Sequence, residues 1–86
     1  VSKITIMILN IKYFGVLAEI TKKKEEQLVL EGSNMTVNSL KLKMESAYQE
    51  LQKNNYSIAI NQAMAGTDTT IKDQDVIAFL PPFAGG

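Results

Sequence analysis

The 86-residue chain contains no cysteine, no histidine, no arginine and no tryptophan. Without cysteine it can form no disulfide or thiolate metal site, and it has no thiol nucleophile. Without histidine it lacks the side chain most often used for acid–base chemistry near neutral pH. A transition-metal site would need carboxylates alone, and no such carboxylate cluster stands out. We therefore expect no metal site and no stably bound cofactor.

The balance of charge and hydropathy excludes two classes of partner. Nine lysines offset nine acidic residues, whereas nucleic-acid binding depends on a basic excess. No apolar run approaches the roughly 20 residues that span a bilayer, and residues 1–9 lack a signal-peptide pattern. We expect a cytoplasmic protein that binds neither nucleic acid nor membrane, since a cysteine-free chain fits a reducing compartment most simply.

Length and composition indicate one globular domain over residues 1–86. Hydrophobic residues make up 45% of the chain and charged residues 21%, which is ordinary for a folded protein. A chain of this length can bury a single modest core and is too short for two.

The N-terminal part predicts a strand followed by a second, shorter strand. Ile4, Ile6 and Ile8 alternate with other residues, but the phase then slips to Leu9, Ile11 and Tyr13. We interpret the second register as the core strand and the first residues as an extension or a bulge. Residues 15–26 form a connection whose charged middle favours an exposed hairpin turn over an anion-binding lysine patch. Residues 27–31 predict a strand with Leu28 and Leu30 on one side.

The middle of the chain predicts one amphipathic helix. Residues 32–34 break the preceding strand, and Thr36 is suited to cap the helix at its N-terminus. Apolar residues then recur at three- and four-residue steps, the pattern of a helix with one buried face: Val37, Leu40, Met44, Ala47, Tyr48 and Leu51. Asn54 and Asn55 are expected to end it, because asparagine tolerates the left-handed conformation.

The C-terminal part predicts further strands around an acidic turn. Residues 56–61 and 76–80 alternate as strands do, and a brief strand is expected around residues 70–71. Asp73 and Asp75 are interpreted as turn formers rather than as a catalytic pair.

These elements predict an α+β fold in which one main helix covers one face of a mixed sheet of four to five strands. The expected core is listed here: Ile11, Tyr13, Leu28, Leu30, Val37, Leu40, Met44, Leu51, Ile58, Ile60, Ile77 and Phe79. The opposite face would carry Lys12, Phe14, Ala59, Ala78 and Leu80. That face is more apolar than contact with water requires, which favours a partner surface over scattered exposed apolar residues.

The chain ends in Pro-Pro-Phe-Ala-Gly-Gly, residues 81–86. Glycine has no Cβ, so Gly85 and Gly86 can enter a slot too narrow for a side chain. The terminal carboxylate is then a chemical handle, and Pro81 and Pro82 would hold this flexible tail away from the sheet. Phe83 and Ala84, which lie between the prolines and the glycines, would contact the partner. A frayed end or an expression scar is the alternative interpretation.

One helix on a mixed sheet with a free Gly-Gly end resembles the ubiquitin-like β-grasp fold. Within it, the chain resembles the sulfur-carrier branch, and most of all the small-subunit family of molybdopterin synthase. Four motifs carry the resemblance, which spans residues 9–86: Tyr13-Phe14, Thr36-Val37, Ile60-Asn61-Gln62, and the stretch from Asp73 to Gly86. Residues 1–8 and the lysines at 22–24 lie outside the shared pattern, and Ala18 stands where that family often has a basic residue.

The resemblance implies a mechanism centred on Gly86. An E1-like activating enzyme would use ATP to adenylate the Gly86 carboxylate, and sulfur from a persulfide would convert it to a thiocarboxylate. The tail, with Gly85 as its thin lead, would enter a pocket of the large subunit and give sulfur to a pterin precursor. The surface contacting that subunit would comprise Phe14, Ala59, Ala78, Leu80, Pro81, Pro82, Phe83 and Ala84. The family also implies a heterotetramer built around a large-subunit dimer, with the catalytic side chains on the large subunit.

Three other functions remain open from the sequence. The chain could carry sulfur for another thiolation, such as that of thiazole, cysteine or tRNA, although the Pro-Pro pair favours molybdopterin synthase. It could be a ubiquitin-like protein modifier. It could also be a β-grasp binding module whose Gly-Gly end is incidental.

Overall fold

The computed structural model describes residues 4–82, and the elements follow one another as β1 (Ile6–Tyr13), α1 (Val16–Thr21), β2 (Glu25–Glu31), β3 (Asn34–Thr36), α2 (Val37–Ala47), a 3-10 helix (Gln49–Lys53), β4 (Ser57–Ile60), β5 (Ala63–Ala65), β6 (Thr70–Lys72) and β7 (Val76–Leu80). The main sheet has the strand order β2-β1-β7-β4-β5, and β3 pairs with β6 in a separate two-stranded sheet. Strands β1 and β7 run parallel, while every other pair is antiparallel. The predicted α+β fold with a mixed sheet and one main helix is confirmed.

Strand β1 lies beside the centre of the sheet and confirms the second of the two registers. Met7, Leu9, Ile11 and Tyr13 are all buried, so every second side chain of β1 points to the core. Pairing with β2 continues without interruption from Ile6 to Lys12. Of the two alternatives for the first residues, the uninterrupted pairing favours an extension over a bulge, and the core register begins at Met7.

Helix α2 covers one face of the main sheet, as predicted. The Thr36 side chain accepts a hydrogen bond from the Ser39 amide at 3.2 Å, which confirms it as the N-cap. Val37, Leu40 and Met44 are buried, and Leu51 of the 3-10 helix continues the same apolar stripe. Asn54 has an extended backbone, so the predicted left-handed asparagine end was wrong. Over residues 4–82, no helix is long and apolar enough to cross a membrane.

The core differs from the predicted set in both directions: Leu28, Leu30 and Ile60 are only partly buried against it, while four further residues join it. Leu17 and Ile71 are fully buried, as are Met7 and Leu9. Leu17 belongs to α1, in a stretch that the sequence analysis described as a connection. A helix of six residues completes fewer than two turns, which leaves too few positions for a helical period to be recognised. Ile71 lies on the brief strand expected at residues 70–71, but this strand pairs with β3 rather than joining the main sheet.

The acidic turn before β7 is structural, as expected. Asp73 accepts a hydrogen bond from the Ile8 amide at 2.6 Å, and Asp75 accepts one from the Lys72 amide at 2.8 Å. Asp75 thus satisfies a backbone donor at the turn itself, while Asp73 ties the turn to β1. This turn fixes where β7 starts beside β1, and the direction of β7 determines where the chain leaves the sheet.

Candidate functional site at the root of the tail

The tail leaves the main sheet from its middle strand. β7 ends at Leu80 with β1 on one side, where Tyr13 pairs with Phe79, and β4 on the other, where Ser57 pairs with Leu80. The Phe14 amide donates a hydrogen bond to the Phe79 carbonyl at 3.2 Å. The residues that follow β1 and β7 are therefore neighbours. We call the group of Phe14, Gly15, Leu80 and Pro81 the tail root.

Gly15 and Pro81 are in close contact within the tail root. Gly15 has φ 59° and ψ −133°, a backbone conformation available almost only to glycine. A Cβ at position 15 would lie 3.0 Å from Cγ of Pro81. Sequence reasoning missed the role of Gly15, and its one signal there was a glycine directly after the aromatic pair.

A row of side chains crosses the face of the sheet that α2 leaves uncovered. The pairings Lys12 with Ala78, Ala78 with Ala59 and Ala59 with Met64 place these four residues side by side. Ala59 is only 6% exposed, whereas Met64 is 67% exposed. The middle of this face therefore consists of small alanine side chains, and the larger Met64 side chain projects beside them from β5. Met64 was not among the predicted contact residues.

The other predicted contact residues lie at different depths. Phe14 is 45% exposed, Ala78, Leu80 and Pro81 are half-buried, and Pro82 is exposed. The structure thus brings Phe14, Leu80 and Pro81 together at the end of the sheet where the tail begins. Ala59 offers a partner little surface. The predicted Phe83, Ala84, Gly85 and Gly86 lie outside the described residues.

A shallow groove of about 380 Å³ runs beside the tail root. Its apolar lining comes from Tyr13, Phe14, Gly15 and Ala18, and its charged lining from Lys12, Lys24 and Glu25. The two lysines lie on β1 and before β2, so charge reaches the groove beside Ala18 from elements other than α1. This arrangement gives the surface around the tail root an apolar centre with charged groups of both signs at its edge.

The end of β7 rests on a rigid aromatic cluster. Phe79 is fully buried, and its ring centroid lies 5.4 Å from the rings of both Tyr13 and Tyr56. The Tyr56 hydroxyl in turn donates to the Glu45 carboxylate on α2. Rings at this separation pack favourably beyond the apolar area they bury. The strand that carries the tail is therefore fixed one residue before Leu80.

A carboxylate on β2 links the end of β1 to the end of α2. Glu26 accepts hydrogen bonds from the hydroxyls of Tyr13 and Tyr48, the second at 3.0 Å, and pairs with Lys23 at 3.3 Å. Partial burial acts to raise the pKa of Glu26, but these three donors favour the charged form, so the net pKa is lowered. Burial and the neighbouring carboxylate raise the pKa of Tyr13, which keeps its hydroxyl a donor.

This network predicts an acid-sensitive contribution to stability. A carboxyl with a lowered folded pKa stabilises the protein fully above its unfolded pKa of about 4.3, and that contribution is lost as pH falls through the folded pKa. We expect Glu26→Gln to lower the thermal midpoint at pH 7. Between pH 7 and about pH 3, the thermal midpoint of this variant should decrease less than that of the wild type. Glu50→Gln, on a side chain that is 69% exposed, serves as the matched control. If the thermal midpoints of wild type and Glu26→Gln decreased equally with pH, Glu26 would not be the source of the acid-sensitive stability.

Some known proteins that are similar to this chain are described as molybdopterin synthase components, and others as small protein modifiers. The molybdopterin synthase sulfur carrier subunit of Mycobacterium tuberculosis is 29% identical over 79 residues, covering 90% of this chain and 95% of that protein. Molybdopterin converting factor subunit 1 of Pyrococcus furiosus superposes with a TM-score of 0.81 at 21% identity, over 90% of this chain and 99% of its own. The small archaeal modifier protein 1 of Methanosarcina acetivorans superposes with a TM-score of 0.71 at 27% identity, over 94% and 98% of the two chains.

These likenesses confirm the β-grasp fold predicted from the sequence. They also agree with the resemblance to molybdopterin synthase small subunits. The sequence pattern of the ThiS family matches residues 11–86 of this chain. This stretch begins within β1 and includes both the tail root and the terminal Gly-Gly. The chain therefore belongs to the ThiS family.

Proposed function

We propose that this protein is the sulfur-carrier subunit of a molybdopterin synthase, with the sulfur held as a thiocarboxylate at Gly86. The observation that carries the proposal is the family match, which extends to the last glycine. The Mycobacterium relative supports it, because nearly its whole length corresponds to this chain. The absence of cysteine and histidine fits a carrier that uses its own C-terminus as the reactive group.

The chemistry of the tail requires activation before sulfur can be added. A free carboxylate is a poor electrophile, so an E1-like enzyme uses ATP to form the Gly86 acyl adenylate and releases pyrophosphate. The terminal sulfur of a persulfide attacks that carbonyl and expels AMP, which gives an acyl disulfide. A second thiol of the sulfur donor then attacks the donor-side sulfur. This step forms a disulfide on the donor and leaves the thiocarboxylate on Gly86. Because a cysteine-free chain fits a reducing compartment most simply, we place the cycle in the cytoplasm.

The tail root is the surface that we assign to the large subunit of the synthase. Phe14, Leu80 and Pro81 surround the point where the tail leaves the sheet, and Ala78 extends this surface along the open face. Apolar groups at the centre of an interface with charged groups at its edge are typical of protein–protein contacts. Two basic residues and one acidic residue provide that charged edge here, namely Lys12, Lys24 and Glu25. The large subunit supplies the catalytic side chains, and a dimer of it would bind two carriers in a heterotetramer.

Reconstitution with purified components tests this function. The carrier, with its natural C-terminus, is loaded by the activating enzyme with ATP and a persulfide donor, and is then mixed with the large subunit and the pterin precursor. We expect the dithiolene product only when the carrier has been loaded. Carrier incubated without ATP is the matched control. A loaded carrier that gives no dithiolene with an active large subunit would contradict the proposal.

A second function, covalent protein modification, is favoured by one observation. The Methanosarcina modifier protein is 27% identical to this chain over nearly its full length. In that case the activated Gly86 would form an isopeptide bond with lysines of other proteins. Mass spectrometry of cell proteins for lysines bearing the C-terminal residues of this chain separates the two functions.

A further inference from the structure

We propose that Gly15 is a positioning residue that seats the Pro81 ring and thereby sets the direction in which the tail leaves the sheet. This inference rests on the proposed function, because it concerns how the tail is presented to the enzyme that receives it. It assigns a role to a residue outside the tail and outside the strand that carries the tail.

The Pro81 ring lies over the α-carbon of Gly15. A Cβ at position 15 would lie 3.0 Å from Cγ, 3.7 Å from Cβ and 3.8 Å from Cδ of Pro81. Packed carbon atoms prefer separations of about 3.5–4.0 Å, so the shortest of these contacts would force the ring to move. A residue with a Cβ would therefore displace the Pro81 ring by a few tenths of an ångström, whereas glycine leaves it in place.

Gly15 is itself held in place on both sides. The preceding Phe14 donates to Phe79 at 3.2 Å and accepts from the Leu17 amide at 3.1 Å, and the Gly15 carbonyl accepts from the Ala18 amide at 3.1 Å. Leu17 is fully buried, which anchors α1 in the core. The surface under Pro81 is therefore a fixed part of the fold.

A seated proline orders the first residue of the tail before a partner binds. Proline fixes its own φ, and the contact with Gly15 restricts the remaining freedom of the ring. Ordering the backbone of one residue corresponds to about a fivefold to thirtyfold change in an equilibrium constant. A receiving enzyme avoids this cost when the tail root is already ordered. The effect should appear in the affinity for the carrier and leave the chemical step unchanged.

Three variants test the inference in sulfur transfer to the large subunit, with KM for the loaded carrier and kcat measured separately. We expect Pro81→Gly and Gly15→Ala each to raise KM about tenfold with kcat unchanged. In the double variant the added methyl group meets no ring, so its KM should match that of Pro81→Gly alone. Two effects that multiply in the double variant would overturn the inference, since Gly15 would then act independently of Pro81.

Two other glycines provide matched controls. Gly32 has φ 115°, and its nearest contact for an added Cβ is 3.9 Å away, while Gly66 has open space there. Gly32→Ala reproduces the backbone strain away from the tail, and Gly66→Ala reproduces the substitution without strain. Both should keep the wild-type KM, although Gly32→Ala should lower the thermal midpoint. If Gly15→Ala lowers the thermal midpoint as Gly32→Ala does but leaves KM unchanged, the role of Gly15 is structural only and the inference is wrong.

Failure of this inference can be distinguished from failure of the proposed function. Wild-type carrier that transfers no sulfur would contradict the function. In that event, KM for the same variants is measured in adenylation by the activating enzyme, which also receives the tail. An unchanged KM there would overturn the positioning role, whereas the same pattern of KM values would support it for that enzyme.

Discussion

Deletion of Gly86 should reduce sulfur transfer at least about 100-fold while the protein remains folded. Deletion moves the terminal carboxylate to Gly85 and shortens the reach of the tail by roughly 3.5 Å. A displacement of about 1 Å at a reacting centre can already cost about 100-fold in rate. Transfer is measured in single-turnover assays with the large subunit, after the truncated carrier has been exposed to the activating enzyme, ATP and the persulfide donor.

The fold should not respond to this deletion, because β7 ends at Leu80 and every core residue found among residues 4–82 precedes Leu80. The thermal midpoint of the truncated protein is therefore the internal control. Gly66→Ala, at a site with open space around it, is the matched full-length control and should transfer sulfur at the wild-type rate. Wild-type transfer by the truncated protein would show that the sulfur is not carried at the C-terminus.

Replacement of Phe79 by alanine should destabilise the protein by about 3–5 kcal/mol. The ring is fully buried and packs between Tyr13 and Tyr56, so its removal leaves a cavity in the centre of the core. Small domains have unfolding free energies of about 5–15 kcal/mol, and this variant should therefore lose much of its stability. Urea unfolding followed by circular dichroism measures the change.

Phe14→Ala is the matched control for this substitution. Phe14 is the same residue type, lies at the end of the neighbouring strand, and is 45% exposed. We expect its replacement to change the unfolding free energy much less than Phe79→Ala does, because less of the ring leaves water on folding. Equal losses from the two substitutions would contradict the assignment of Phe79 to the core and of Phe14 to the surface.

The parts of the fold that could be predicted from the sequence are those with a clear period. Strand β1 alternates from Leu9 to Tyr13, and α2 repeats its apolar residues over several turns, so each pattern indicates both the element and its buried face. The burial of Met7 was hidden by the competing alternation of Ile4, Ile6 and Ile8. Helix α1 and strands β3 and β5 are too short for a period to be recognised. The pairing of β6 with β3 could not be predicted either. A single apolar residue such as Ile71 indicates that a strand has a buried side, but it does not indicate which strand lies next to it.

The candidate site also has one part that sequence reasoning could reach and another that it could not. The chemistry of the tail stays a prediction, and it could be made from the sequence because it depends on residue types at the end of the chain, above all the two terminal glycines. The contact between Gly15 and Pro81 joins residues far apart in sequence, and only the parallel pairing of β1 with β7 brings them together. The burial of Ala59 was also not predictable, since a small side chain is covered according to the size of its neighbours across the sheet.

The central claim is that Gly86 carries sulfur, and intact-mass spectrometry of the protein from its native cells tests it most directly. The protein must be isolated with its natural C-terminus and without reducing or alkaline treatment. The account predicts a species in which sulfur replaces one oxygen, with fragmentation placing the sulfur on Gly86. A carboxylate in every molecule, together with lysine-linked forms on other proteins, would contradict the account and identify the chain as a protein modifier.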